Sequence, residues 1–299
     1  MVLKVGFIPE HFSTPLQFAK TKGYFAQNDI ECELIEYPSG SGHLIQSLKS
    51  REIDIAIGLT EAFVRGLCEG DHESYQIAGT YVQSPLCWAV STGAQRSDPT
   101  SETQLQDASI GVSRIGSGSY VMSFVLGLQH HFKSPFFKKF VVLDNFKNLR
   151  DSVNKKDNVE PSDAFMWEHF TSKKYYDNGE IKKIGEIYTP WSSWVIVSGK
   201  HVEQVPLSSF LKAVQQGIEY YNSHKDEAAK YIADHLDYSY EDAKEWQKTV
   251  KFADDVTKVD FEKDILGTKS VLKTAGVVQK DASETDEQIL QKLHAGVIS

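Results

Sequence analysis

The 299-residue sequence is poor in cysteine, lacks a long apolar run and has no excess of basic residues. Its cysteines, Cys32, Cys68 and Cys87, are odd in number and have no CxxC or Cys/His spacing. We therefore predict buried thiols, without a disulfide framework or a zinc site. No apolar stretch approaches the roughly 20 residues that cross a bilayer. The net charge of −9, from 32 basic and 41 acidic residues without a basic patch, disfavours nucleic acid and anionic membranes as partners.

The first residues lack the basic segment, apolar core and small-residue cleavage site of a secretory signal, because Val2 enters a strand pattern directly. We therefore expect a cytoplasmic protein, unless a signal peptide has been removed. The length is sufficient for two domains of ordinary size.

Strand, turn and helix patterns alternate from Val2 to Gly70. A β-branched and aromatic run from Val2 to Ile8 stops at Pro9, and a helical pattern with a glycine break follows at 18–25. Further strand patterns occur at 32–37 and 53–58, with a Gly/Ser-rich turn and a helix between them. This order predicts a parallel α/β sheet, whose ligand sites lie beyond the carboxyl ends of the strands.

A second α/β lobe is predicted after the polar stretch 91–103. Strand and helix patterns restart there, a return crossing is expected near 194–197, and the remainder is helical, with further helices at 224–235, 239–251, 260–274 and 284–293. We predict a lobe one of residues 1–90 plus 196–299 and a lobe two of 91–195, each with a mixed, mostly parallel sheet. Two hinge crossings would allow the lobes to close on a ligand.

Two Gly/Ser-rich turns, one in each predicted lobe, are candidate ligand-binding loops. Small residues let backbone N–H groups approach a ligand, and a helix N-terminus favours negative charge. A capping turn without a ligand is the alternative for each. Nucleotide binding is disfavoured because neither turn carries a phosphate-loop or dinucleotide fingerprint. The candidate residues are Ser39, Ser41 and Gly42 in the first turn and Arg114, Ser117, Gly118 and Ser119 in the second.

Polar and aromatic side chains after the predicted strands are further candidates. Glu10 and His11 follow the first strand, and Thr60 and Glu61 follow the third, where sheet crevices bind ligands. His11 could donate to an anion or carry a proton, although an ordinary loop histidine is the alternative. Glu61 could instead only complement a helix dipole.

Two tryptophans could form an aromatic wall around a ligand. Trp167 ends a strand in lobe two, and Trp191 follows a proline near the second crossing. Aromatic walls around a polar floor suit a planar heterocycle or an apolar tail. Packing in the core is the alternative for such side chains.

No catalytic or metal-binding motif is present. The sequence contains no Gly-x-Ser-x-Gly elbow, no His-Glu-x-x-His helix and no Cys/His zinc signature, and the pair His130 and His131 fits a solvated helix end. We therefore assign no catalytic residue, no metal and no cofactor.

Several short motifs resemble the type 2 periplasmic-binding-protein fold. They are Lys-Gly-Tyr-Phe at 22–25, Tyr-Pro-Ser-Gly at 37–40, Arg-Glu-Ile-Asp-Ile-Ala at 51–56, Gly-Ser-Gly-Ser-Tyr at 116–120 and Asp-Ala-Phe-Met-Trp-Glu at 163–168. The chain is similar to the branch that binds sulfonates, nitrate or thiamine-precursor pyrimidines, which includes the fungal thiamine-pyrimidine synthases. The resemblance implies a ligand between the lobes and favours Trp167 as a residue that faces it.

The resemblance leaves three functions open. A binder would hold a pyrimidine, a pyridoxal-type molecule, a sulfonate or another small anion between the lobes. A thiamine-pyrimidine synthase would need the family's reactive histidine and Cys-rich segment, but Ala62 occupies the histidine position and residues 188–197 contain no cysteine. An interaction module with a vestigial cleft is the third alternative. We expect the binder, with the enzyme as the alternative.

Overall fold

The computed structural model describes residues 2–278 and 285–298. Residues 1, 279–284 and 299, which the sequence-based division assigns to lobe one, lie outside the described residues, as does the first position of the helix predicted at 284–293. Ten strands are assigned within the described residues: β1 Val2–Phe7, β2 Glu31–Glu36, β3 Ile55–Leu59, β4 Tyr75–Val82, β5 Cys87–Gly93, β6 Ser109–Val112, β7 Lys139–Val142, β8 Ala164–Glu168, β9 Ile181–Tyr188 and β10 Trp194–Gly199.

Helices connect and cover these strands. The α-helices assigned within the described residues are α1 Thr14–Thr21, α2 Tyr24–Gln27, α3 Ser41–Lys49, α4 Thr60–Cys68, α5 Gly118–Gln129, α6 Phe146–Val153, α7 His169–Asp177, α8 Gln204–Ser223, α9 Lys225–His235, α10 Tyr240–Trp246, α11 Thr268–Thr274 and α12 Asp286–Ala295. Short 3-10 turns occupy His11–Ser13, Asp71–Glu73 and Glu102–Gln104, and a π-helix occupies Phe261–Gly267.

The chain forms two compact units. Within the described residues, unit one contains 2–85, 190–269 and 285–298, and unit two contains 86–189 and 270–278. The lobe boundaries at 90/91 and 195/196 stay a prediction, and this grouping differs from them by a few residues. It also places 270–278 with unit two, which the sequence patterns do not indicate.

Unit one is built on a five-stranded sheet in the order β2-β1-β3-β10-β4. β1 pairs in parallel with β2 and β3, whereas β10 pairs antiparallel with both β3 and β4. Four strands therefore share one direction and β10 opposes them, so the predicted mixed, mostly parallel sheet is confirmed. The carboxyl ends of β1, β2 and β3 consequently lie at the same edge as Trp194, the first residue of β10.

Unit two repeats this plan with the order β7-β6-β8-β5-β9. β6 pairs in parallel with β7 and β8, and β5 pairs antiparallel with β8 and β9. The carboxyl ends of β6 and β8 therefore meet the amino end of β5 at one sheet edge. Helix α6 covers a core cluster of this unit that includes Leu149, Phe165 and Ile181.

The alternation predicted from the sequence is confirmed for most elements, but several helices differ from the prediction, among them α10, which ends at Trp246 rather than at 251. The segment predicted as one helix at 260–274 begins as the π-helix Phe261–Gly267 and continues as α11. Helix α6 is not predicted by the sequence patterns, and it is short, with polar residues at five of its eight positions. None of the three cysteines forms a disulfide; Cys68 is buried, as predicted, whereas Cys32 and Cys87 are only half-buried, so the prediction of a buried thiol is wrong for these two. Within residues 2–278 and 285–298, no helix has the length and apolar character needed to cross a membrane.

Candidate functional site

Two predicted residues of unit one, Ser41 and Thr60, hold the connections at the carboxyl edge of its sheet. Ser41 begins α3, and its Oγ accepts a hydrogen bond of 2.9 Å from the backbone N–H of Leu59, the last residue of β3. Thr60 begins α4 and is fully buried, and its Oγ1 donates to the carbonyl oxygen of Ser192 at 2.5 Å. Both hydroxyls therefore fix the loops in which the sequence predicts ligand contacts.

The Glu61 carboxyl and the Trp191 indole form a buried polar pair in the same unit. Trp191 is 0% exposed and Glu61 is 3% exposed, and the indole Nε1–H donates to Glu61 Oε2 at 3.1 Å. Among the described residues, the second carboxyl oxygen, Oε1, has no hydrogen-bond partner. Burial raises the pKa of Glu61 to about 7, against the lowering effect of its hydrogen bonds. The Glu61 carboxyl is therefore suited to holding or exchanging a proton near neutral pH.

A carboxylate from the C-terminal region completes the support of the loop at 190–193. Asp264 lies in the π-helix, is 1% exposed, and accepts the backbone N–H of Ser192 at 2.7 Å through Oδ1. Burial raises the pKa of Asp264. The helical region that the sequence left without a function thus positions the segment that carries Trp191.

His11 lies in an aromatic cluster. It is 1% exposed, and its ring centroid is 4.5 Å from that of Phe12, 4.4 Å from that of Tyr238 and 4.3 Å from that of Trp246. Burial lowers the pKa of His11 to about 3, because the charged imidazolium cannot be solvated there. The imidazole is accordingly neutral at physiological pH. Its role in ligand binding stays a prediction.

In unit two the predicted turn at 114–119 is held by a serine network. Ser117 is the N-cap of α5, and its Oγ accepts from the backbone N–H of Tyr120 at 3.4 Å. The Oγ atoms of Ser117 and Ser119 are 2.9 Å apart, and Ser119 Oγ accepts from the backbone N–H of Ser113 at 3.3 Å. Gly116 has φ +80°, in the left-handed region that favours glycine. The hydroxyls are therefore directed to the turn itself, which leaves the first N–H groups of α5 as the groups that could meet a ligand.

Trp167 is packed against the core of unit two. It is half-buried, and its ring stacks on Phe146 with centroids 4.9 Å apart and planes at 12°. The next residue, Glu168, is 7% exposed, and its Oε2 accepts the backbone N–H of Thr171 at 2.6 Å. Burial raises the pKa of Glu168 to about 7, although its hydrogen bonds lower it.

A cavity of about 500 Å³ lies in unit one, and none of the thirteen predicted site residues lines it. That cavity has an apolar floor that includes Leu207, Leu211 and Val256. The predicted site residues not yet discussed are more accessible than most of the others: Ser39 and Arg114 are exposed, and Glu10, Gly42 and Gly118 are half-buried.

The two buried glutamates should make stability depend on pH. Between the ordinary glutamate pKa of 4.5 and about 7, the unfolded chain loses protons that folded Glu61 and Glu168 keep, so each lowers the free energy of unfolding as pH rises. The free energy of unfolding of Glu61→Gln should therefore rise relative to that of wild type by on the order of 3 kcal/mol between pH 4 and pH 8. Urea unfolding of both proteins at the two pH values measures this gain.

His11 acts with the opposite sign, since its lowered pKa costs stability as pH falls from 6.5 towards 3. His11 is present in both wild type and Glu61→Gln, so its contribution cancels from the difference between their free energies of unfolding. An equal stability difference at both pH values would contradict the assignment of a raised pKa to Glu61.

One solved structure with this architecture shows which family the chain belongs to. The Candida albicans CA3427 gene product, described as defining a new family of proteins with the generic periplasmic binding protein fold, is 55% identical to this chain. The match covers 100% of this chain and 96% of that one, with a TM-score of 0.91. This chain belongs to the Ca3427-like family. The family model described as Ca3427-like PBP matches residues 88–187, and the one described as the NMT1-like family matches residues 2–86.

More distant structures share the fold of this Ca3427-like protein. The alkanesulfonate-binding protein SsuA of Xanthomonas axonopodis pv. citri, bound to MOPS, is 11% identical with a TM-score of 0.75, over 93% of this chain and 94% of that one. The aliphatic sulphonate binding protein SsuA of Escherichia coli is 10% identical with a TM-score of 0.73, over 100% of this chain and 92% of that one. No curated protein matches the sequence of this Ca3427-like protein. The resemblance to the periplasmic-binding-protein fold is thus confirmed.

Two acidic residues of this Ca3427-like protein, Glu168 and Asp264, were not predicted from the sequence as site residues. The structure places Glu168 beside the predicted Trp167, and Asp264 in contact with the segment that carries the predicted Trp191. Glu168 ends the same predicted strand as Trp167 but is not among the predicted site residues, yet it is buried at the sheet edge of unit two. Asp264 is 72 residues from its partner Ser192, and no spacing could connect them. An acidic residue at the end of an apolar strand was a usable signal for Glu168, whereas Asp264 had none.

Proposed function

We propose that this protein binds a small polar or anionic molecule at the carboxyl edges of its two sheets. The observation that carries the proposal is that each edge has a serine-containing turn that leads into a helix: Ser41 starts α3, and Ser117 caps α5. The first N–H groups of a helix have no partner within the helix, and they carry partial positive charge. Two such donors suit an anionic or polar group even in a protein with a net charge of −9.

Sulfonates are the first ligands to test, because two proteins with this fold are described as binding an alkanesulfonate and aliphatic sulphonates. Thiamine-pathway pyrimidines, pyridoxal-type molecules, nitrate and bicarbonate form the rest of the panel. The cytoplasmic location, the position of the ligand between the lobes and the thiamine-pathway enzyme stay predictions from the sequence. Formation of a product from a ligand found in the panel would favour the enzyme over the binder.

A thermal-shift screen of the whole chain tests the proposal. A ligand at about 100 times its dissociation constant should stabilise the protein by about 2.7 kcal/mol, which raises Tm by several degrees. A flat response across the panel would count against binding of these classes and favour an interaction module.

A proline at the first position of α5 tests the helix N-terminus directly. Ser117 has φ −71° and ψ 166°, an extended conformation that a following proline requires, so Gly118→Pro should preserve the helix while removing one N–H. A lost hydrogen bond to an anion costs about 1.5–3 kcal/mol, so we expect affinity for the ligand found in the screen to fall about 10- to 150-fold. Isothermal titration measures the change.

Gln204→Pro is the matched control for this variant. Gln204 is the first residue of α8, and the preceding Glu203 has φ −70° and ψ 155°, almost the same conformation as Ser117. The control should bind ligand as tightly as wild type. Equal affinity in Gly118→Pro and wild type would remove the α5 N-terminus from the site.

A further inference from the structure

Three side chains of unit two bring together a thiol, an imidazole and a carboxylate. Cys87, His169 and Glu186 each offer one ligand atom, and these atoms all lie within 4.8 Å of one another. Cys87 and His169 are half-buried and Glu186 is exposed, so the cluster can be reached from solvent. We propose that Cys87, His169 and Glu186 form a binding site for a zinc ion.

Strand pairing explains why these residues meet although they are distant in the chain. In the antiparallel register, Trp88 lies opposite Glu168, so the adjacent Cys87 lies next to His169 at the end of β8. On the other side of β5, Cys87 pairs with Tyr188 and Ala89 pairs with Glu186. Because side chains two residues apart share one face of a strand, Cys87 and Glu186 are diagonal neighbours on that face.

The distances suit one tetrahedral ion. Zinc binds sulfur at about 2.3 Å and oxygen at about 2.0 Å, which places two tetrahedral ligands about 3.5 Å apart. Cys87 Sγ lies 3.8 Å from Glu186 Oε2. No two of the three ligand atoms are more than 4.8 Å apart, and the exposed Glu186 side chain can rotate to adjust its distance to the other two. Three protein ligands leave the fourth tetrahedral position for water or another small ligand.

The donor set selects the metal class. A thiolate and an imidazole favour zinc over calcium and magnesium, which prefer oxygen ligands. In the present structure Glu186 contacts Lys183, with Nζ 2.5 Å from Oε2, and Tyr188, whose hydroxyl donates to Oε1 at 2.9 Å. The side chains of both Lys183 and Glu186 are exposed, so their ion pair contributes little to stability and a divalent ion can replace Lys183 at low cost.

Titration of the untagged full-length protein with ZnCl₂ under reducing conditions tests the site. We expect one zinc per chain, with binding at least about tenfold weaker in Cys87→Ser and in Glu186→Gln. Cobalt(II) provides a second readout, because a cobalt–thiolate bond gives a near-ultraviolet charge-transfer absorption. That band should be present in wild type and in Glu186→Gln but absent in Cys87→Ser.

Cys32→Ser is the matched control, since Cys32 is also a half-buried free thiol but lies in β2 of unit one. It should bind zinc and show the cobalt band as wild type does. His130→Ala, which removes a histidine of unit two outside the cluster, should also leave both unchanged. Zinc binding of equal strength in wild type and Cys87→Ser, or no binding in wild type, would overturn the proposal. Glu186 is exposed, so the Glu186→Gln result remains interpretable if Cys87→Ser fails to fold.

Discussion

Trp191→Ala is expected to lower the free energy of unfolding by about 3–5 kcal/mol. Trp191 is among the largest fully buried side chains, so its removal leaves a cavity in unit one. The variant also removes the indole N–H that donates to Glu61, whose carboxyl is 3% exposed. Loss of a buried hydrogen-bond partner adds to the cost of the cavity. Urea or thermal unfolding of the variant and wild type measures the loss.

Trp191→Phe separates the two contributions. It keeps most of the buried ring but removes the N–H, so the expected loss is smaller, about 1–3 kcal/mol. The sequence predicts that Trp191 lines the ligand site. A role in core packing would appear as a loss of stability, whereas a role in the site would appear as a loss of ligand binding. A loss below about 1 kcal/mol in Trp191→Ala, together with a lost ligand response, would favour the ligand role over core packing.

Gly79→Ala is expected to lower the free energy of unfolding by about 3 kcal/mol. A Cβ atom at position 79 would lie 1.8 Å from the carbonyl oxygen of Val256, which is backbone and cannot rotate away. Gly79 pairs with Ile196 in the sheet of unit one, so β4 cannot shift without disturbing its pairing with β10. Denaturant unfolding of the variant measures the cost of this overlap.

Gly267→Ala is the control for the same chemical change. A Cβ atom there would have the carbonyl oxygen of Glu262 as its nearest neighbour at 3.6 Å, an ordinary contact. We expect its stability to lie within about 1 kcal/mol of wild type. If Gly79→Ala destabilises the protein as little as this control, β4 and the segment around Val256 are not packed as closely as the distance of 1.8 Å implies.

The fold of each unit could be predicted because its signals are local. The run from Val2 to Ile8, the glycine and serine turns and the apolar helix faces each specify an element over a few residues, and their order specifies a sheet with its ligand edge. The short helix α6 could not be predicted, since five of its eight positions are polar and only three are apolar.

The sequence by itself determined the two α/β units, the turns around Ser41 and Ser117 and the resemblance to the periplasmic-binding-protein fold, because these depend on local spacing and motifs. Only the tertiary structure decided how side chains distant in the chain are paired. It joined Glu61 to Trp191 and Asp264 to Ser192, enclosed His11 in aromatic rings, and brought Cys87 to His169 and Glu186. Such contacts follow from strand order and packing, and no spacing along the chain encodes them.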